Sequence, residues 1–169
     1  MIDIVFGVDP GKTGAMSIFQ YIEEDNTYYL LHIVDYSNKS EVLYYVTYET
    51  SLFRPNKIHA FIENVHAAPG QSISAMFNFG QNLGWWYGLF DSFNIVCTPI
   101  APQSWSPKML GRTDDKKNKA REVATQLFSR DKDNKTDEQG KEWFSLKKYD
   151  GRADSALIAW YGIHKYILT

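Results

Sequence analysis

Residues 7–15, GVDPGKTGA, follow directly on the apolar run IDIVF and decide how the amino end is read. The lysine-threonine pair behind a glycine suggests a phosphate-holding loop. Such a loop needs four residues between its glycines, so that successive backbone N–H groups curl around the anion. Gly7 and Gly11 enclose only three, and Asp9 lies among them, where its carboxylate repels the phosphate that a nest would cradle. The stretch reads instead as a strand end and a tight turn that present Asp9, with Lys12 and Thr13 incidental.

Further along, GAMSIFQYI and TYYLLHIVDY flank the polar turn EEDN, which predicts a three-stranded antiparallel meander. In SEVLYYVTYETSLF, the residues Leu43, Val46, Thr50 and Phe53 recur at helical spacing behind a Ser40 cap. KIHAFIEN is a short strand ending on a carboxylate. From Ser72 to Phe93, Ile73, Met76, Phe77, Leu83, Tyr87 and Phe90 mark one long amphipathic helix. Gly80, Gly84 and Gly88 share a stripe of it. An interior glycine costs on the order of 1 kcal/mol against alanine, so another backbone is expected to come close. The domain's own sheet is the first candidate for that backbone and a dimer seam the second.

NIVCTPI is a further strand, PQSWSPKML a short helix or turn, KKNKAREVATQLF a helix with a basic first half, and RDKDNKTDEQGKE a polar loop. GRADSALIAWYGIHKYIL places Ala153, Ala156, Leu157, Trp160, His164 and Ile167 on one helical face. The order predicts a single α/β domain over residues 1–169, with a mixed sheet of about five strands, the first three antiparallel, flanked by helices.

Composition narrows the class of protein. A chain of 169 residues that is 44% hydrophobic suits one globular domain. It has no apolar run of the roughly 18 residues that suggest a membrane span, and its start lacks the basic flank of a signal peptide, so a cytoplasmic protein without a membrane partner is expected. Cys97 is the sole cysteine, which excludes an internal disulfide, and the four histidines lack zinc-ligand spacing. The net charge of −2 gives no overall basic footprint. Its distribution does: Lys108, Arg112, Lys116, Lys117, Lys119 and Arg121 crowd one segment, with Lys147, Lys148 and Arg152 near the end. Either group also reads as a solvated face.

The acidic residues at element ends carry the chemistry. Asp9 ends the first strand, Glu63 the fourth, and Asp150 and Asp154 open the last helix. The last two share a face if that helix already includes Asp150. Singly, each has an ordinary explanation in a turn, a lysine partner or a helix dipole. Converging, they make an oxygen-rich pocket whose like charges call for a hard divalent ion, Mg²⁺ or Mn²⁺.

GVDPGKTGAMSIF, FIENVHAAPGQSISAMFNFGQNLGWWYG, WSPKML with KKNKAREVATQLF, and DGRADSALIAWYG together resemble the RuvC-type Holliday junction resolvases, in particular their compact bacteriophage members. ENVHAAPGQ and DGRAD before an apolar helix carry most of that specificity. The match is uninformative only over residues 20–57 and 129–148. The resemblance implies an RNase H-like fold and a homodimer. It also implies Mg²⁺-dependent nicking of four-way and other branched DNA in the cytoplasm of a bacterial host, leaving 5′-phosphate and 3′-hydroxyl ends without a nucleotide cofactor.

Asp9, Glu63 and Asp154 match the family's metal-binding carboxylates. Many bacterial relatives place an Asp or His three residues before the last of these, where this chain has Gly151; Asp150 could serve from the same helix face. Lys117 matches the lysine beside the scissile phosphate, with Lys116 and Lys119 as rivals. His66 falls where bacterial enzymes have an aromatic that probes the junction centre, though its ring is smaller. Gln71, Lys108, Lys116, Lys119, Arg121 and Arg152 complete the expected DNA contacts. Two ions about 4 Å apart would activate water and stabilise the leaving oxygen, with Mn²⁺ as a substitute for Mg²⁺.

Trp85 and Trp86 are expected in the core or a dimer contact before base stacking. Two alternatives remain. Sugar kinases and actin-like ATPases share the opening strand and turn but need a second, similarly built domain. A non-catalytic nucleic-acid-binding module would tolerate losing the carboxylates, all of which are present here.

Overall fold

β1 (Ile4–Val8) is buried at every position, as a continuous apolar run covered on both faces requires. The computed structural model describes residues 1–64, 70, 72–128 and 142–168. β1 pairs antiparallel with β2 (Ala15–Ile22), which pairs antiparallel with β3 (Thr27–Asp35). On its other side β1 runs parallel to β4 (Ile58–Glu63), and β4 parallel to β5 (Val96–Ile100). The sheet order is β3-β2-β1-β4-β5, the mixed five-stranded sheet that the sequence predicts.

Parallel neighbours need helical crossovers, which α1 (Lys39–Leu52) and α2 (Ile73–Ser92) provide. Behind β5 come α3 (Pro102–Leu110), α4 (Lys116–Phe128) and α5 (Asp150–Gly162). No helix among the described residues is long and apolar enough to cross a membrane.

Alternation along β1 divides the core into two layers. Val5 joins Phe19, Phe61 and the apolar face of α5, whereas Ile4, Phe6 and Val8 pack with Val46 of α1 and Trp86 and Phe90 of α2. Gly7 lies under α5. A Cβ there would fall 2.1 Å from the Ser155 carbonyl oxygen and 2.6 Å from the Ala159 Cβ, so the helix rests directly on the strand backbone. Burial of α5 is nearly complete from Gly151 to Gly162, which explains its apolar and small residues on all sides.

Several expectations are corrected. Asn38, not Ser40, caps α1 by accepting from the Glu41 N–H, and the buried face is Val42, Val46 and Glu49, with Leu43 47% exposed. Tyrosines and valines on every side of that helix leave its periodicity ambiguous. Ser72 caps α2 by accepting from the Ala75 N–H, yet the buried residues are Trp86, Leu89 and Phe90, while Ile73 and Phe77 face outward. The glycine stripe does not lie on the domain's own sheet: among the described residues nothing comes within 4 Å of a Cβ built at Gly80, Gly84 or Gly88. The last helix passes at Ile163–Ile167 into a π-type turn that leaves His164 exposed. The expected polar loop falls almost wholly in residues 129–141, outside the described residues.

Replacing Gly7 by Ala should lower the unfolding free energy by about 1–3 kcal/mol in urea titrations, because α5 must shift to admit the methyl group. An unchanged midpoint would show that the helix is not seated on this backbone.

Candidate active site

Asp9 is the first residue beyond β1 and Glu63 the last of β4. The strands are parallel neighbours with Val8 opposite Ile62, so both carboxylates leave the sheet at the same end, on backbones about 4.8 Å apart. The first turn of α5 meets them there. Gly14 and Gly151 form a parallel bridge, and the helix begins at Asp150, which puts Asp150 and Asp154 one turn apart on a shared face. A Cβ at position 151 would lie 2.3 Å from the Thr13 carbonyl oxygen and 2.9 Å from Asp9 Oδ2. No ligating side chain fits at 151, and Asp150 is the neighbouring carboxylate.

Three of the four acids have donors of their own. Asp9 Oδ1 accepts from the Gly11 N–H at 2.9 Å, so the turn amide that resembled part of a phosphate nest serves the chain's own carboxylate. Lys12 and Thr13 point to solvent. Glu63 Oε1 accepts from Trp105 Nε1 at 2.9 Å, and Asp150 lies 3.1 Å from Lys117 Nζ and 3.7 Å from Arg121 Nε.

The environment favours protonation of three of these acids. Burial raises Asp9, with the Gly11 amide and Lys117 opposing and Asp150 adding to the rise. Glu63 is pushed up to about 7, by burial first and then by Asp9, against the Trp105 hydrogen bond. Asp154 lies well above the usual carboxylate range because of burial and then the charges of Asp9, Glu63 and Asp150. Asp9 thus raises Glu63, and Asp154 feels the charges of the other three.

Among the described residues, no three His, Cys, Asp or Glu groups already stand in a metal-ligating arrangement. The donors nevertheless fit a hard divalent cation in kind, being oxygen-only, desolvated and mutually repelling.

The remaining expected contacts divide. Lys117 and Arg121 join the acids, Lys116 is exposed at the start of α4, and Lys119 pairs with Glu122 at 3.2 Å. Lys108 lies over the Tyr161 ring at 5.7 Å, about three turns along α5 from Asp150. His66 and Gln71 fall outside the described residues. Arg152 is corrected: it is only 7% exposed, and its Nε and Nη2 donate to the two oxygens of Asp35 at 2.7 and 2.8 Å, so it offers no open surface to a phosphate. Trp105 is the residue that sequence reading missed. Its place in WSPKML, behind a strand end, was the available signal.

Raised carboxylate pKa values mean that the folded chain binds more protons than the unfolded chain between the ordinary carboxylate range and about pH 7. Their stabilising contribution is complete at low pH and lost as pH rises through the folded values. The thermal midpoint of the metal-free protein should therefore fall between pH 5 and pH 8 as these groups ionise, and Glu63→Gln should flatten that fall. A midpoint that climbs over this interval would refute the crowding of charge.

The sequence matches no protein-family model and no curated protein. Solved structures do match. The fowlpox virus Holliday junction resolvase is 20% identical with a TM-score of 0.58, over 97% of this chain and 99% of that one. RuvC of Thermus thermophilus, in complex with a Holliday junction substrate, is 13% identical with a TM-score of 0.57, over 96% of each chain. The yeast mitochondrial Holliday junction resolvase is 15% identical with a TM-score of 0.50, over 93% of this chain and 76% of that one. With its β3-β2-β1-β4-β5 sheet and α5 laid across it, the chain has the RNase H-like fold of the RuvC-type resolvases.

Proposed function

We propose that the protein is a metal-dependent, structure-selective endonuclease that nicks four-way and other branched DNA and acts as a homodimer. The observation that carries this reading is the meeting of Asp9, Glu63, Asp150 and Asp154 at one sheet end, with Lys117 beside them. Similarly folded proteins are Holliday junction resolvases, one of them in complex with a junction substrate, which supports the choice of substrate.

Asp9, Glu63 and Asp154 would hold the ions, with Asp150 as the fourth donor. Bound there, a pair of Mg²⁺ ions, or Mn²⁺ in their place, supplies an activated water and neutralises charge on the scissile phosphate and its leaving oxygen. The chain does the rest. Trp105 orients Glu63 through its indole N–H, and α5 presents Asp154 and Asp150 together. Lys117, whose side chain is 77% exposed, is free to leave Asp150 for a phosphate oxygen. Lys108, Lys116 and Lys119 would track the backbone of the DNA, which makes binding salt-dependent.

The homodimer is supported by α2. Ile73, Phe77, Gly80, Gly84 and Gly88 lie on one outward face of a 20-residue helix, where a second copy of the helix can approach closely. Gly84→Leu should leave the monomer folded, since leucine favours helix, yet shift the protein to monomer in sedimentation experiments. An unchanged dimer would exclude α2 as the seam.

The function is tested with a four-way junction, a linear duplex and ATP in Mg²⁺. Paired nicks in the junction are expected, with the duplex and ATP untouched. Asp9→Asn should bind junctions as the parent does while nicking falls on the order of a hundredfold or more. Junction binding without nicking by the unaltered protein would favour a non-catalytic binding module, and ATP turnover without nicking would favour a kinase-like site.

A further inference from the structure

We infer that Arg152 and Asp35 are a positioning pair, which sets the height and rotation of α5 over the sheet and thereby the spacing of Asp150 and Asp154 from Asp9. The inference rests on the proposed metal centre and assigns residues that do not touch the metal or the DNA.

Three contacts fix the first half of α5. At Gly151 the helix meets Gly14 backbone to backbone, with no room for a Cβ on either residue: one at Gly14 would lie 2.0 Å from the Asp9 carbonyl oxygen. One residue on, the Arg152 guanidinium grips both oxygens of Asp35 at the end of β3. One turn further, the buried Ser17 hydroxyl donates to the Ser155 carbonyl at 3.0 Å. The backbone contact sets distance but leaves the helix free to roll. A bidentate fork is directional, so the Arg152–Asp35 pair supplies the missing restraint.

The two sides are also linked through the chain. Gly14 accepts from the Tyr36 N–H at 2.9 Å, which holds the β3 end and Asp35 against the same turn that carries Asp9. Asp9, Gly14, Asp35 and α5 thus form one frame. Arg152 lies between Asp150 and Asp154 in sequence but points away from the acids, so its effect on them passes through the helix backbone.

A lysine at 152 keeps the positive charge and loses the fork. Removing the guanidinium does not strand a buried charge, because the Asp35 side chain is 36% exposed and shares a hollow with Lys12 and Lys148. Asp35→Asn removes the acceptor charge, keeps an amide oxygen for the guanidinium and leaves every cation of the chain in place.

Mn²⁺ binding to the DNA-free protein, followed by calorimetry, and junction binding in Ca²⁺, followed by fluorescence anisotropy, separate the roles. Arg152→Lys and Asp35→Asn should each weaken Mn²⁺ binding about tenfold, as loss of an outer partner of a metal ligand does, with junction affinity within twofold of the parent. Circular dichroism checks that each variant is folded. Weaker junction binding by Arg152→Lys with unchanged Mn²⁺ affinity would make Arg152 a DNA contact and overturn the inference. A lower thermal midpoint with both affinities unchanged would overturn it too, leaving a merely structural pair. If Arg152→Lys fails to fold, Asp35→Asn alone decides by the same readings. If the unaltered protein binds no Mn²⁺, the metal centre itself falls, which is distinct from variants binding as well as the parent.

Discussion

The close seating of α5 on the sheet is the constraint on which the rest depends. A helix normally stands about 10 Å from a packed partner because side chains fill the gap. Here Gly7, Gly14 and Gly151 remove those side chains, and the helix backbone reaches the strand and the turn directly. Only at that distance does the amino end of α5 fall level with the ends of β1 and β4. Any longer separation would carry Asp150 and Asp154 away from Asp9 and Glu63.

That seating explains why the acids are unusual. Desolvation and mutual charge raise Asp9, Glu63 and Asp154, and the cations that soften the crowding, Lys117 and Arg121, come from the one side that α4 occupies. A chain of net charge −2 therefore separates its charges locally, with an acidic pit beside a basic helix. The overall balance conceals both.

Much of this was legible in the residues. Strands bounded by turns, and a basic helix at 116–128, follow from periodicity and punctuation, and the acids at element ends identify the pocket once the strands are known to be neighbours. What stayed hidden depends on distant partners. Arg152 beside an acidic motif reads as a phosphate contact, and only its fold-mate Asp35, 117 positions earlier, turns it inward. Trp105 and Glu63 are 42 positions apart, and no local pattern joins them. The glycine stripe of α2 was visible, but which way it faced was settled by the rotation of Trp86 and Phe90 into the core.

The hydrogen bond from Trp105 to Glu63 gives the pocket a built-in optical sense. An indole N–H that donates to a carboxylate feels that group's charge, and Trp105 is almost wholly screened from water by the α5-side core. Whatever alters Glu63, whether a proton or a counterion, alters the electrostatic field on the indole. The state of the pocket is thereby written into the ultraviolet spectrum of the protein's own side chain, at a position fixed by the fold and without an added label.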